Sequence, residues 1–325
     1  MYNLIKPILF SFDPEDIHKI SFKLIPFIPK SIKKLYLVED KVLNKELFGI
    51  KFKNPVGLAA GLDKDGLIYN HLSDFGFGFV EIGTVTPLKQ IGNEKPRLYR
   101  LLKDNALINR MGFNNKGIYN MINNLDRNKN KSILGINVGK NKLTENKNAY
   151  IDYIYCISKL EKYADYFTIN ISSPNTPNLR ELQKPEDLKN LLLHIVDYTM
   201  TEKPLILKIS PDINNKELED IVKASEGLID GFIATNTTID RDNIDKKYKS
   251  LAGGLSGLPL RDKSTDVIYM LNKLTELPII GSGGIMSVED ANEKIDAGAD
   301  LIQIYTGFIY KGPKLIKDIN ESLRK

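Results

Sequence analysis

The residues with the strongest chemical potential lie in one short stretch, 170–178, which reads NISSPNTPN. It follows the β-branched and aromatic run 166–169, which predicts a buried strand, so the stretch is a strand-end loop. Its two prolines fix backbone angles and stiffen the loop. Such a loop can hold an uncharged hydrogen-bonding set for a polar, planar ligand, formed by Asn170, Ser173 and Asn175. Because Ser, Pro and Asn are also ordinary turn residues, the rest of the chain must decide between the two interpretations.

The elements around this loop follow a regular order, in which short apolar runs alternate with amphipathic stretches along the chain. Eight strands are predicted, at residues 56–59, 79–82, 133–138, 166–171, 205–209, 231–234, 279–281 and 301–305. The clearest helices are predicted at residues 149–163, 187–200, 216–226, 264–275, 288–297 and 313–323. Eight consecutive βα units favour the α/β class and one (β/α)8 TIM barrel. A doubly wound open sheet is the alternative, but no Gly-x-Gly-x-x-Gly follows the first strand.

The length suits one barrel with a small N-terminal helical extension. A barrel takes roughly 250 residues, so the 325 residues divide into a segment at 1–45 and a barrel domain at 46–325. Residues 46–53 alternate around a glycine and predict a hairpin that closes the bottom of the barrel. The chain has one cysteine, Cys156, which excludes a disulfide framework and indicates a reducing, intracellular setting.

The first 45 residues contain two amphipathic helices, the second of which begins at the sequence Asp13-Pro14. Its apolar stripe comprises Ile17, Ile20, Leu24 and Phe27, with several lysines around it. These helices could pack on the barrel, or they could lie in a bilayer interface as a peripheral membrane anchor. No apolar run is long enough to span a membrane and no signal peptide is visible.

Metal and nucleic-acid partners are not expected. The chain has three histidines, which are widely separated and lack the spacing of metal ligands. The net charge of +5 is spread along the chain and accompanies no nucleic-acid motif.

In a parallel barrel the chemistry lies at the carboxyl ends of the strands. The glycine-rich segments 282–285 and 305–307 follow the seventh and eighth strands, where barrels commonly bind phosphate, and segment 253–257 could approach the same group. Elsewhere on the rim, lysines could stabilise charge on a flavin ring and amides could bind its edges. These are Lys64, Lys208, Asn137 and Asn170. The combination favours flavin mononucleotide (FMN) over a sugar phosphate, which usually needs a central carboxylate or histidine base.

Five motifs, in order along the chain, resemble the dihydroorotate dehydrogenase family in its membrane-associated, quinone-using class. They are NPVGLAAGLDKDG at 54–66, EIGTVTP at 81–87, NRMGFNN at 109–115, NISSPNTP at 170–177 and GSGGI at 281–285. The resemblance runs from about residue 46 to the end, and the helical extension matches that class too. It implies an FMN-dependent oxidation of (S)-dihydroorotate to orotate in de novo pyrimidine (UMP) biosynthesis, with a membrane quinone as terminal electron acceptor.

The resemblance also implies roles for individual residues. The implied FMN contacts are Ala60, Gly61, Lys64, Thr84, Asn137, Asn170, Lys208, Thr235, Gly257, Gly284, Tyr305 and Thr306. The implied substrate contacts are Lys64, Asn109, Arg110, Met111, Gly112, Phe113, Asn170, Asn175, Asn236 and Thr237. Ser173 matches the catalytic base. A serine hydroxyl is harder to deprotonate than a thiol of pKa about 8.5, so Ser173 must pass its proton onward through a hydroxyl or water chain.

A serine at this position favours the quinone-using class, because the soluble relatives carry cysteine there. The expected location is then peripheral, on the cytoplasmic side of a bacterial cell membrane. Three alternatives stay open at this point. They are a soluble FMN barrel acting on another cyclic imide, a phosphosugar isomerase or aldolase barrel, and a peripheral membrane protein that binds a phosphate ligand without catalysis.

Overall fold

The computed structural model describes residues 2–128 and 132–324 of the chain. Its strands are β1 (Lys45–Leu47), β2 (Ile50–Phe52), β3 (Val56–Leu58), β4 (Phe79–Val85), β5 (Leu98–Leu101), β6 (Ala106–Asn109), β7 (Ile133–Val138), β8 (Tyr166–Asn170), β9 (Leu205–Ile209), β10 (Gly231–Ala234), β11 (Gly254–Gly257), β12 (Ile279–Ser282) and β13 (Leu301–Ile304). Its helices are α1 (Tyr2–Ser11), α2 (Pro14–Leu24), α3 (Lys30–Lys34), α4 (Tyr69–Ser73), α5 (Ile118–Arg127), α6 (Ala149–Leu160), α7 (Pro185–Thr199), α8 (Asn215–Ser225), α9 (Arg261–Leu274), α10 (Val288–Asp296), α11 (Thr306–Lys311) and α12 (Lys314–Ser322).

Within the described residues, eight strands close into a parallel barrel in the order β10-β12-β13-β3-β4-β7-β8-β9. The predicted (β/α)8 fold is therefore confirmed. Most predicted strand ends differ from the observed ones by one residue at most. The exception is β4, which runs three residues further than predicted because Gly83 and Val85 still pair with β7.

The main hydrophobic core lies between the barrel strands and the surrounding helices. The strands are buried over almost their whole length, as expected for a parallel sheet that is covered on its outer face and filled on its inner face. Cys156 is fully buried in this core on α6, and burial raises the pKa of its thiol well above its usual range.

A second, smaller core fills the bottom of the barrel. The antiparallel hairpin β1-β2 covers this end, and Phe52 from the hairpin packs edge-on against Phe79 with ring centroids 5.3 Å apart. Phe48 at the hairpin turn packs against the same cluster. The predicted hairpin is thus confirmed as the closure of the amino-terminal end, which leaves the opposite end for ligands.

A three-stranded antiparallel sheet, in the order β11-β6-β5, was absent from the sequence-based expectations. Segment 253–257 was expected as a glycine-rich loop, but it forms β11 and pairs with β6 in the register Gly254↔Asn109. Periodicity could not reveal this sheet, because the two pairing segments are short and lie about 145 residues apart in sequence. The sheet places Asn109 above the carboxyl end of the barrel.

The N-terminal helices lie against this sheet and α11. Helix α2 begins at the predicted point, with the Asp13 side chain capping it. Glu15 receives hydrogen bonds from Arg97 at 2.8 and 3.1 Å, and these bonds hold the pKa of Glu15 below its usual value. On α1, the Tyr2 hydroxyl donates to the Ile309 carbonyl. The division at residue 45 stays a prediction.

Candidate active site

A cavity opens at the carboxyl ends of the barrel strands, where the chemistry was predicted. Its empty space is about 1120 Å³ including the mouth, large enough for a cofactor together with a small substrate. Nineteen of the predicted site residues line it, together with Gly283 from the motif that contains Gly284: Ala60, Gly61, Lys64, Thr84, Asn109, Met111, Gly112, Phe113, Asn170, Ser173, Asn175, Lys208, Thr235, Asn236, Thr237, Gly257, Gly284, Tyr305 and Thr306. Residues far apart in sequence therefore converge on one space.

Two predicted contacts, Asn137 and Arg110, do not line this cavity. Asn137 is fully buried beneath the floor, where its amide donates to Glu81 at 2.8 Å and its oxygen accepts from Thr84 and Asn170. Its hydrogen-bonding capacity is used inside the protein, so it positions other floor residues. The Arg110 guanidinium turns outward and donates to the carbonyls of Pro96 and Glu94.

Two lysine ammonium groups reach the cavity from the strand ends. Lys208 is 6% exposed and has no hydrogen-bond or ion-pair partner among the described residues. Lys64 donates to the Gly61 carbonyl at 2.7 Å. Burial lowers the pKa of both lysines, because the charged form loses its hydration. An anionic or electron-rich ligand beside the two lysines would compensate for the lost hydration and favour their charged forms.

Sequence reasoning missed the role of Glu81, which is buried inside the barrel beneath the cavity. Its carboxylate is fully buried and accepts hydrogen bonds at 2.7 to 3.2 Å from four side chains on β7, β8 and β13: Asn137, Tyr166, Thr168 and Gln303. Its negative charge also favours the charged form of Lys208. In the sequence, the sign of this role was a single glutamate within the otherwise uncharged strand β4.

The loop that carries Ser173 is held by Arg180, which follows it in the chain and is itself anchored to the loop after β9. Arg180 donates to the Ser172 carbonyl at 2.9 Å and forms an ion pair with Asp212 at 2.8 Å. Ser173 is 7% exposed, and its oxygen accepts from the backbone N–H of Asn175 at 3.2 Å. The predicted stiffness therefore comes from tertiary anchors as well as from the prolines.

Above this loop, two amides meet across the cavity mouth. The Asn175 side chain donates to the Asn109 oxygen at 3.0 Å. Asn109 reaches the site only because β6 crosses above the barrel. Paired amides of this kind can exchange donor and acceptor bonds with the ring amides of a planar ligand.

At the other side of the cavity, glycines form a backbone cradle. Gly283 and Gly284 have φ of +124° and +76°, and a Cβ on Gly284 would lie 2.2 Å from the Arg261 Cα. Only glycine allows this close approach and leaves the backbone donors bare. Nearby, the Gln303 Oε1 atom is buried without a partner in the described part of the chain. The cavity therefore suits a ligand with a phosphate and a polar ring. The bare N–H groups on one side would bind the phosphate, and the cations and the unpaired oxygen on the other side would bind the ring.

His18 is a second residue that sequence reasoning did not connect with the site. It lies on α2, and its Nε2 atom is 2.9 Å from the carbonyl oxygen of Leu62, two residues before Lys64. Burial is the main cause that lowers the pKa of His18 to about 4, and the charge of Lys64 acts in the same direction. The neutral ring therefore donates to Leu62 and ties the N-terminal segment to the first strand-end loop.

Two features are absent from residues 2–128 and 132–324. No cluster of three or more His, Cys, Asp or Glu side chains is suitable for a metal ion there. None of the helices in those ranges combines the length and apolarity that crossing a bilayer requires.

Comparison with known proteins places this arrangement in a family. A family model described as dihydroorotate dehydrogenase matches residues 42–325. A dihydroorotate dehydrogenase (quinone) of Christiangramia forsetii is 52% identical over 333 aligned residues, which cover 99% of this chain and 98% of that protein. The protein of the same name from Idiomarina loihiensis is 49% identical, covering 98% of this chain and 99% of its own length.

Solved structures give the same result at the level of the fold. The crystal structure of DHODH from Eimeria tenella in complex with ferulenol superposes with a TM-score of 0.86 at 37% identity, covering 96% of this chain and 90% of that one. The ligand-free form from the same organism gives a TM-score of 0.85 at 36% identity. With sequence likeness over the N-terminal helices and the barrel alike, this chain belongs to the dihydroorotate dehydrogenase family.

Proposed function

We propose that this protein oxidises (S)-dihydroorotate to orotate, with FMN as hydride acceptor and a quinone as terminal electron acceptor, in de novo pyrimidine biosynthesis. The observation that carries the proposal is that one cavity combines the ammonium groups of buried Lys208 and half-buried Lys64 with neutral amides and Ser173. Neither lysine forms an ion pair with a carboxylate among the described residues. The family is in general flavin-dependent. The name shared by the relatives from Christiangramia forsetii and Idiomarina loihiensis supports the quinone.

FMN suits the cavity because its two ends need different partners. The cradle at Gly257, Gly283 and Gly284 offers backbone N–H groups to a phosphate, and Thr306 adds a hydroxyl beside it. Lys208 and the free oxygen of Gln303 would face the polar ring. When bound, FMN supplies an acceptor for hydride, and the ammonium of Lys208 would stabilise the negative charge that results.

The substrate would lie between the Ser173 loop and β6. Lys64 would bind the carboxylate of dihydroorotate, and Asn109, Asn175 and Asn236 would bind its ring amides. Met111, Gly112, Phe113 and Thr237 line the same region of the cavity. This arrangement orients the ring edge that carries C5 and C6.

Ser173 would remove the proton from C5 as hydride leaves C6. Because the hydroxyl cannot hold a standing negative charge near neutral pH, it must release its own proton as it accepts the new one. The hydroxyl of Thr176, three residues along the same loop, is buried and has no partner among the described residues. It is available to take part in this relay.

The N-terminal helices would attach the protein peripherally to the cytoplasmic side of the cell membrane. Seven large apolar side chains on α1, α2 and the turns after them are 44% or more exposed: Leu4, Ile5, Ile8, Phe12, Ile20, Leu24 and Phe27. Burying four of them in a bilayer interface would contribute at most about 1.5–3 kcal/mol each. A quinone dissolved in the bilayer could then reach the cavity past α2.

A single anaerobic spectrum tests the enzymatic proposal. The purified protein should be yellow, and dihydroorotate should bleach the visible flavin absorption in the absence of oxygen. Added long-chain quinone should restore the colour. A colourless protein would support a non-redox barrel instead, and a yellow protein that dihydroorotate does not bleach would indicate a different substrate.

A further inference from the structure

Lys294 on α10 is a buried cation that the proposed reaction does not use. Its side chain is 0% exposed, although lysine is rarely buried without a compensating charge. The ammonium donates to the Arg261 carbonyl at 2.6 Å, to the Ser264 hydroxyl at 2.7 Å and to the Thr265 hydroxyl. All three partners are neutral and belong to the first turns of α9.

The carboxylates closest to this lysine are engaged elsewhere. Asp262, Asp290 and Glu293 form ion pairs with the guanidinium of Arg261, and none forms one with Lys294 in the described part of the chain. Burial lowers the pKa of Lys294 to about 7, while these carboxylates act in the opposite direction. A further anion near the ammonium would favour its charged form.

A short hydrogen-bond path leads from Lys294 to the glycine cradle. The ammonium donates to the oxygen of Ser264, whose single hydroxyl proton has two acceptors within reach, the Gly283 carbonyl at 2.8 Å and the Arg261 carbonyl at 2.9 Å. Because the Arg261 carbonyl already accepts from Lys294, we assign the Ser264 proton to the Gly283 carbonyl. Because that carbonyl and the N–H of Gly284 belong to one trans peptide, the two groups point in opposite directions. Fixing the carbonyl toward α9 turns the N–H toward the cavity.

The N–H of Gly284 is left without a protein acceptor among the residues described, and Gly284 lines the cavity. Lys294 also donates a hydrogen bond to the Arg261 carbonyl. The Arg261 backbone packs against Gly284 and forms the wall of the cradle at this point. One buried ammonium thus fixes both the orientation of the donor and the wall behind it.

We propose that Lys294 is a positioning residue for the phosphate of the bound flavin: through Ser264 it orients the Gly283–Gly284 peptide, and its charge favours a dianion in the cradle. The inference rests on the proposed binding of FMN. A purely structural lysine would hold α9 to α10 and would affect any flavin equally. A phosphate-directed lysine affects FMN but spares riboflavin, which has the same ring and no phosphate.

The test is a competition between these two flavins. The full-length, flavin-loaded protein is incubated with equal excesses of FMN and riboflavin until the bound composition is constant, and the bound flavins are then separated and quantified. The wild type should hold FMN in large excess. Lys294→Met, which keeps the length of the side chain and removes the charge, should lower the bound FMN-to-riboflavin ratio by about tenfold or more, since a charge-assisted interaction is lost.

Two further variants complete the design. Ser264→Ala interrupts the path to Gly283 and should also lower the ratio, and it serves as the primary variant should Lys294→Met fail to fold. Thr265→Val removes another acceptor of Lys294, whose hydroxyl bonds the Arg261 carbonyl but not the Gly283 carbonyl. The Arg261 carbonyl keeps its bond from Lys294 in this variant, so its ratio should stay close to that of the wild type.

The outcomes separate two kinds of failure. An unchanged ratio in both Lys294→Met and Ser264→Ala, with wild-type preference for FMN intact, overturns the role of Lys294 alone. A wild-type protein that holds FMN and riboflavin equally has no phosphate site in the cradle, which overturns the proposed binding of FMN as well.

Discussion

At the residue scale, the role of each polar side chain in the site depends on its hydrogen-bond partners within the protein. Ser173 is buried, and within residues 2–128 and 132–324 its hydroxyl receives only one hydrogen bond, from the backbone of Asn175. Asn137 was predicted to contact FMN, but its amide donates to Glu81 inside the protein. The difference between a residue that faces a ligand and one that supports the floor therefore lies in its hydrogen-bond partners.

Replacing Ser173 by alanine should separate binding from turnover. Ser173→Ala should retain the bound flavin, because the hydroxyl contributes one weak bond within its own loop, and should lose about 10²–10⁴-fold in turnover with dihydroorotate. Flavin content by absorbance and steady-state rate measure the two effects. Ser322→Ala, which removes a hydroxyl bonded only to the last helix, is the control. Near-normal turnover in Ser173→Ala would exclude the serine as the base.

The floor carboxylate offers a second prediction at this scale. Glu81→Gln should lower the free energy of unfolding by about 3 kcal/mol, because an amide group would face the donors that now converge on a carboxylate. Urea unfolding of the loaded protein measures the change. Glu94→Gln, at an exposed position, should leave the midpoint unchanged. An equally stable Glu81→Gln protein would show that the four bonds contribute little.

At the element scale, the second sheet and α2 complete a site that the barrel alone would leave open. The sheet β11-β6-β5 carries Asn109 over the mouth, and α2 is tied to the first strand-end loop by His18 and to β5 by the Glu15–Arg97 pair. These contacts join the N-terminal segment to the catalytic end of the barrel.

The attachment of α2 should depend on pH. Since the pKa of His18 is about 4 in the folded protein and about 6.5 in an unfolded chain, only the unfolded chain binds this proton between those values. Stability should therefore fall as the pH decreases through this window, by about 2 kcal/mol at about pH 5. Urea unfolding at several pH values measures the loss.

His18→Gln provides the comparison for that measurement. Its amide can still donate to the Leu62 carbonyl but does not titrate. The variant should lose less stability than the wild type between neutral pH and about pH 5. Identical pH profiles would mean that His18 does not report the attachment of α2.

At the scale of the whole molecule, α1 and α2 pack at the open end of the barrel, through contacts such as His18 with Leu62 and Glu15 with Arg97, while the hairpin β1-β2 closes the far end. Under the proposed function, this polarity would let one end of the barrel serve both the substrate and an acceptor dissolved in the bilayer. Lys6 and Lys19 on these helices could each add about 1 kcal/mol on an anionic surface.

Charges on the apolar face should weaken membrane binding without affecting the site. Leu24→Glu combined with Phe27→Glu should reduce binding to anionic phospholipid vesicles and reduction of a long-chain quinone, while dihydroorotate still bleaches the flavin at the wild-type rate. Vesicle flotation and the two half-reactions measure this. Met200→Glu is the matched control, because Met200 is 82% exposed at the end of α7 near the closed end of the barrel. Equal loss in both half-reactions would contradict this division of labour.

The sequence by itself determined the barrel, the hairpin under it and most of the residues around the cavity. Strand runs, helix periodicity and strand-end loops are local patterns, and the parallel barrel brings all strand ends to one side. The tertiary structure alone decided the sheet that brings Asn109 above the site, the floor built on Glu81, the inward turn of Asn137 and the buried position of Lys294. Each of these depends on contacts between segments far apart in sequence, whose energies come from burial and hydrogen-bond partners that no local pattern specifies.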